Sequence, residues 1–375
     1  MSIQSGLIVS KFGGSSVKDA SSMMYCVDIV KKLPRPTVVV ISATWNTTNM
    51  LEDIARASIK GDNDYLNHQF HVLVGRHDKI AKDLFIYEQV KDDLIKLYNE
   101  ARGYSLILQS KRDCPPYLMD ALYSIGERLS SVMFAASLNY CLGESAQSIY
   151  FDIREVLITD STYQSANPDF LKIDELAQQK IKPLLVQDNI IVTQGFIGKD
   201  SLGHTTTLGR EGSDYTGSIL ASVLSADQYF IWTDVNGVKV CDPKLVATAK
   251  TIKELTYDEA ETFAKLGARV LFERTMEPVK EKKIPIFVGS TKDPNGEGTW
   301  IKSTSGLDQP IIGFTTSKED NDIILSVVGR QALSFDLSKE FAALKQIRKN
   351  PLFVSYVLTG DVDYKRLYDL LTNVE

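Results

Sequence analysis

The sequence has little of what staples or clamps a small fold. Four cysteines, Cys26, Cys114, Cys141 and Cys241, are scattered through 375 residues without a C-x-x-C pair. Such spacing indicates neither a disulfide framework nor a zinc site. No apolar run approaches the roughly 20 residues of a membrane span. The N-terminus lacks the basic patch, long apolar core and small-residue cleavage site of a secretory signal. A cytoplasmic protein with no membrane partner is therefore expected. Basic excess is missing too: 42 Lys and Arg stand against 48 Asp and Glu, a net charge of −6. That balance argues against a general nucleic-acid binder, while leaving room for a local basic pocket that holds a phosphate. His68, His71 and His77 fall in one helical region. Two histidines on one turn without a carboxylate partner do not build a metal site, so a solvated helix face is expected there and no bound metal. No internal repeat or low-complexity segment is found.

What is present is 43% hydrophobic and 24% charged residues, the balance of an ordinary globular chain. The stretch around which the rest is arranged is Leu7-Ile8-Val9-Ser10-Lys11-Phe12-Gly13-Gly14-Ser15-Ser16-Val17. It reads as a buried strand, a glycine pair, then two serines suited to cap a helix. A strand, glycine loop and helix start make a phosphate cradle, with the Lys11 ammonium within reach of the same anion. A plain tight turn is the competing reading. Neither the Walker A spacing nor G-x-G-x-x-G is present.

Residues 37–43 read as a second buried strand, and residues 17–33 as the helix between, giving a parallel βαβ unit. Both strands then deliver polar loops to one sheet edge, where ligands of open α/β sheets bind. Residues 51–108 show helical spacing without a strand. Cys114-Pro115-Pro116 breaks that run. Ser124-Ile125-Gly126-Glu127 then opens an apolar helix, where Glu127 either favours the helix dipole or holds a substrate amine. Residues 146–151, 189–193 and 227–232 read as further strands. Between the last two lies Thr205-Thr206-Thr207-Leu208-Gly209-Arg210-Glu211-Gly212-Ser213-Asp214. Arg210 and Asp214 are either an i,i+4 helix pair or charges beside glycines at a phosphate-transfer site. Residues 255–276 read as one helix and 284–288 and 298–301 as strands. After Ser303-Thr304-Ser305-Gly306 the character changes: two strands, a helix at 341–348, a strand at 352–358 and a helix at 364–372. The expected domains are 1–303 and 307–375.

These motifs resemble the aspartokinases of the amino acid kinase superfamily. The resemblance spans about residues 7–300. It rests on Lys11-Phe12-Gly13-Gly14-Ser15-Ser16, Ser124-Ile125-Gly126-Glu127, Thr193-Gln194-Gly195-Phe196-Ile197-Gly198, Thr206 to Arg210 with Gly212-Ser213-Asp214-Tyr215, and Trp232-Thr233-Asp234-Val235. It implies an α/β three-layer sandwich with a mostly parallel central sheet, followed by a small α+β ACT-like unit. It implies transfer of the ATP γ-phosphate, with Mg²⁺, to the side-chain carboxylate of L-aspartate, giving 4-phospho-L-aspartate at the head of aspartate-family amino acid biosynthesis. Carried over, Lys11 stabilises the transferring phosphoryl group near Gly13, Gly14 and Ser15. Asp214 orients groups at the reacting centre. Ser42 and Thr48 match aspartate-binding positions, Glu127 takes the α-amine and Arg210 a carboxylate. Thr233, Asp234, Lys239, Lys244 and Arg269 fall on the nucleotide side. A homodimer is the implied assembly.

The sequence departs from the family mostly on that nucleotide side. Lys239 stands where a tyrosine is common, Lys244 where an arginine is, and Glu211 where glycine is commoner. A Gly-Ala-Lys-Val-Leu-His-Pro run appears as Gly267-Ala268-Arg269-Val270-Leu271-Phe272-Glu273. The tail has room for about one of the two ACT domains usual in the family, so weak or absent feedback inhibition by lysine or threonine is expected. Two other functions stay open: a kinase for another acceptor, such as glutamate, and a catalytically silent binder on the same fold.

Overall fold

A computed structural model describes residues 6–143, 146–186, 189–268, 273–306, 311–334 and 336–372. The chain divides into two compact units, Met1–Asp234 and Val235–Glu375.

In the first unit the order is β1 (Ile8–Phe12), α1 (Ala20–Lys31), β2 (Thr37–Ile41), α2 (Thr47–Lys60), α3 (Asn63–Asp83), α4 (Tyr87–Lys111) and α5 (Pro116–Leu142). Then come β3 (Ser148–Phe151), α6 (Phe170–Leu176), β4 (Ile190–Gln194), a small hairpin of β5 (Ile197–Lys199) and β6 (Thr205–Thr207), α7 (Gly212–Val223) and β7 (Gln228–Thr233). Strands β3-β4-β2-β1-β7 form a wholly parallel sheet. Its central strands are buried along their whole length, as covering on both faces requires.

Alternation along β1 decides what each face meets. Phe12 stacks on Trp232 of β7 and lies 5.9 Å from Phe134 of α5. Ser10, on that same face, accepts a 3.0 Å bond from the Trp232 indole. Lys11 points to the opposite face and meets α7. Helices α5 and α7 thus cover opposite faces, giving the expected three layers.

Several local expectations change. Ser15 and Ser16 do not cap a helix: residues Gly14–Val17 form a 3₁₀ turn, and α1 is capped by Asp19, whose carboxylate accepts from Ser22 N. Glu127 is not at a helix start. Helix α5 begins at Pro116, where a proline lacking an N–H does no harm, so Gly126 and Glu127 lie well inside it. His77 is fully buried, whereas His68 and His71 are exposed.

The second unit holds β8 (Glu254–Thr256), α8 (Tyr257–Lys265), α9 (Glu273–Glu281), β9 (Ile286–Ser290) and β10 (Thr299–Lys302). Strand β10 pairs parallel with β8 and antiparallel with β9. The single helix expected over 255–276 is instead a strand and two helices. Thr256 and Glu259 make a reciprocal capping box that starts α8. Gly267, at φ +103°, follows its end. Next come β11 (Gly313–Glu319), β12 (Asp322–Val328), β13 (Leu344–Asn350), β14 (Phe353–Leu358) and α10 (Tyr364–Thr372). The four strands form an antiparallel sheet in the order β11-β12-β14-β13, the expected small α+β element. The segment 341–348 is mostly strand, not helix. A bulge between Gln346 and Arg348 resets the side-chain alternation and disguises the period of two.

The division at 234/235 lies before the change of character expected near residue 305, and the antiparallel sheet begins at Gly313. Among the described residues no helix is long and apolar enough to cross a membrane.

Candidate active site

Parallel strands β4, β2, β1 and β7 end side by side, and their ladder continues into the loops. Gly195 N donates to Ile41 O, Ser42 N to Phe12 O, and Gly13 N to Trp232 O, at 2.9 Å, 3.2 Å and 3.2 Å. The Gly13 amide is therefore used by the sheet. Gly14 serves a different end: a Cβ there would lie 2.7 Å from Ala43 O, so only glycine lets the β1 and β2 loops approach so closely.

These loops and the start of α7 enclose a cavity of about 270 Å³. Five of the sequence-derived residues line it together: Lys11, Ser42, Thr48, Glu127 and Asp214. Lys11 Nζ lies 2.6 Å from Asp214 Oδ1, both side chains nearly buried. Asp214 sits in the first turn of α7, where the helix dipole favours an acid.

Glu127 is the electrostatic outlier. It is 5% exposed. One carboxylate oxygen accepts a 3.3 Å bond from Ala43 N, and the other, Oε2, has no hydrogen-bond partner among the described residues. Burial pushes its pKa up to about 8, against which the single amide donor pulls only weakly. A buried carboxyl that lines a cavity and keeps one unsatisfied oxygen is a receptor for a cationic donor such as an ammonium.

The remaining expected residues are placed as follows. Ser15 lies half-buried on the 3₁₀ turn. Arg210 is exposed between β6 and α7 and is not among the cavity-lining residues. Thr233 closes β7, with its hydroxyl donating to Asp234 Oδ1 at 3.2 Å. In the second unit, Lys239 Nζ donates to Thr251 Oγ1 at 2.8 Å, and Lys244 is exposed. Arg269 and Phe272 lie outside the described residues.

Sequence reasoning missed three contributors. Phe196 lines the cavity with φ +71°, held there by its amide on Thr216 Oγ1 and its carbonyl under Leu208 N. A bulky residue at positive φ leaves no trace in a sequence. Ser213 also lines the cavity. Asp120, on α5, binds Gln164 N, Thr207 N and Thr207 Oγ1, tying the β6 end to the helix that carries Glu127. Its sign was an acid within an apolar helical period.

A larger cavity, about 420 Å³, lies between α4, α5 and β3. Its charges are already paired: Asp93 with Lys96, Arg128 with Glu100 and Asp152 with Arg154, at 3.1, 2.6 and 2.6 Å. It therefore offers no uncompensated charge of the kind that singles out Glu127.

Comparison with known proteins shows the family. The amino acid kinase family profile matches residues 6–290. The lysine-sensitive aspartokinase 3 of Escherichia coli (strain K12) is 37% identical over 302 residues, 79% of this chain and 64% of that protein. This chain thus spans a little under two thirds of that relative's length. A crystal structure of E. coli aspartokinase III in complex with lysine and aspartate (T-state) aligns with a TM-score of 0.74 and 31% identity, over 98% of this chain and 83% of that one. The same enzyme in complex with aspartate and ADP (R-state) aligns with a TM-score of 0.83 over 97% of this chain and 98% of that one, at 24% identity, which speaks to the fold.

Proposed function

The chain belongs to the amino acid kinase family and, within it, to the aspartokinases, and we propose on that premise that it phosphorylates the side-chain carboxylate of L-aspartate with ATP to give 4-phospho-L-aspartate, at the head of aspartate-family amino acid biosynthesis. The observation that carries this reading is the pairing, in one small cavity, of a buried carboxyl that keeps one oxygen unpartnered among the described residues with a buried ammonium. Glu127 suits the α-amine of an amino acid, and Lys11 suits a phosphoryl group in transit.

The chemistry asks little of a general base. A substrate carboxylate is already ionised at neutral pH and is itself the nucleophile, so positioning and charge compensation are the main tasks. When the ammonium docks, Glu127 releases its proton to solvent and becomes the anion the ammonium needs. Ser42 and Thr48 offer hydroxyls to the substrate, and Arg210, beside the cavity in sequence, is assigned its carboxylate. Asp214 holds the Lys11 ammonium 2.6 Å away, which keeps it aimed. Thr233, Asp234, Lys239, Lys244 and Arg269 are assigned to the nucleotide. Mg²⁺ supplies charge neutralisation when it arrives with the phosphates. The described residues hold no group of three or more His, Cys, Asp and Glu that builds a metal cage.

The family match reaches residue 290, past the division at 234/235, which supports a catalytic domain of 1–303 and an ACT-like unit of 307–375. A cytoplasmic homodimer belongs to the same proposal.

The test is ADP release with Mg-ATP, with and without aspartate, for wild type and Lys11→Ala. Aspartate-dependent turnover that falls about 10²-fold or more in the variant is the expected result. Turnover with glutamate alone moves the substrate. No turnover with either, from folded protein, contradicts the reading.

A further inference from the structure

We propose that His77, one helix away from the cavity, is a positioning residue that fixes the substrate-side segment 42–48, the β2–α2 loop and the first residues of α2, through a directional hydroxyl relay with Thr44 and Thr47. The proposal rests on the reading of Ser42, Thr48 and Glu127 as amino-acid contacts.

The relay follows from donor and acceptor chemistry. His77 Nδ1 lies 2.8 Å from Leu73 O. A carbonyl only accepts, so the ring proton sits on Nδ1. In the neutral ring Nε2 is then an acceptor. Its neighbour at 3.2 Å is Thr44 Oγ1, which must donate. With that proton committed, Thr44 Oγ1 accepts from Thr47 Oγ1 at 2.7 Å. Every bond has one direction. His77, Thr44 and Thr47 are each at most 1% exposed, so water does not offer substitutes. Burial also presses the His77 pKa down to about 4, which keeps Nε2 an acceptor at neutral pH.

The relay ends where geometry has to be held. Between Thr44 and Thr47 the chain passes Asn46 at φ +67°, a left-handed turn that asparagine tolerates and that needs support from its surroundings. Ala43 N donates to Glu127 Oε1. Ser42 and Thr48, on either side, line the cavity. Helix α3 thereby sets the spacing between the loop hydroxyls and the Glu127 carboxyl.

Thr44→Val removes the hydroxyl at nearly constant shape, and Thr44→Ser keeps it. Hydrogen–deuterium exchange is read over 42–48 and over α3, alongside steady-state kinetics. In Thr44→Val, exchange over 42–48 is expected to rise about tenfold while α3 is unchanged. The KM for aspartate is expected to rise about tenfold, with the KM for Mg-ATP within about twofold of wild type. Thr44→Ser restores wild-type behaviour. Unchanged exchange over 42–48, or equal loosening of α2 and α3, overturns the relay and leaves His77 an ordinary satisfied core residue. A wild-type protein without aspartate-dependent turnover overturns the kinase reading instead, and the exchange arm still decides the relay.

Discussion

Helix α5 carries two buried carboxyls, Asp120 and Glu127, two turns apart on one face. Their surroundings differ in one respect. Asp120 accepts from three donors, Gln164 N at 2.9 Å, Thr207 N at 2.8 Å and Thr207 Oγ1 at 3.0 Å. Among the described residues Glu127 accepts from one, at 3.3 Å, and keeps an oxygen without a partner. Burial raises both pKa values, to about 6 for Asp120 and about 8 for Glu127. The lesson is that burial alone does not mark a functional acid. Asp120 is completed by its own chain and holds structure, whereas Glu127 needs something from outside.

The sharpest way to break this contrast is Glu127→Gln. It removes the charge at nearly constant volume. The aspartate KM is expected to rise about 10²-fold or more, as when one partner of a buried charge pair is lost, while thermal stability stays level or rises. Equal loss of stability and affinity would make Glu127 a second Asp120. Asp120→Ala should do the reverse. Three orphaned donors predict a loss of about 2–4 kcal/mol of unfolding free energy in denaturant titrations. A variant as stable as wild type would contradict the structural role.

Next is Gly126→Ala. The added Cβ would meet Ala43 Cβ at 2.9 Å and Thr47 Cγ2 at 3.2 Å, pushing α5 off the loop that supports Glu127. Overpacking of this kind costs about 1–3 kcal/mol, and melting curves measure it. The most gradual effect is a slope with pH. Between its unfolded pKa and its raised folded pKa, each acid binds more protons folded than unfolded. Stability in ligand-free protein therefore falls as pH rises through that window, by at most about 1.4 kcal/mol per pH unit for each group. The Asp120 window closes near pH 6. From there to pH 8, Glu127 of this pair acts alone, and Glu127→Gln should remove its part of the slope.

Much of this was legible before the structure. Consecutive Val and Ile runs announced buried parallel strands, and the glycine loops announced the sheet edge where five of the expected residues meet. Other features were hidden by identifiable physics. Pro115-Pro116 marks a break between helices, yet Pro116 also starts the next one, so Glu127 looked terminal when it is internal. The bulge in β13 concealed its alternation. The capping pair Thr256 and Glu259 was visible in the sequence and, properly weighed, divides the 255–276 segment. The positive φ of Phe196, the donor count at Asp120 and the burial of His77 depend on tertiary neighbours, which no local pattern encodes.

The central claim is that Glu127 waits, protonated, for a substrate ammonium. Calorimetric titration of aspartate at pH 7 in buffers of different ionisation enthalpy measures the protons released on binding. Close to one proton per aspartate is expected from wild type, since a group with a pKa about 8 is mostly protonated at that pH and ionised in the complex, with no release and weak binding in Glu127→Gln. Tight binding without proton release, unchanged in Glu127→Gln, would contradict the account.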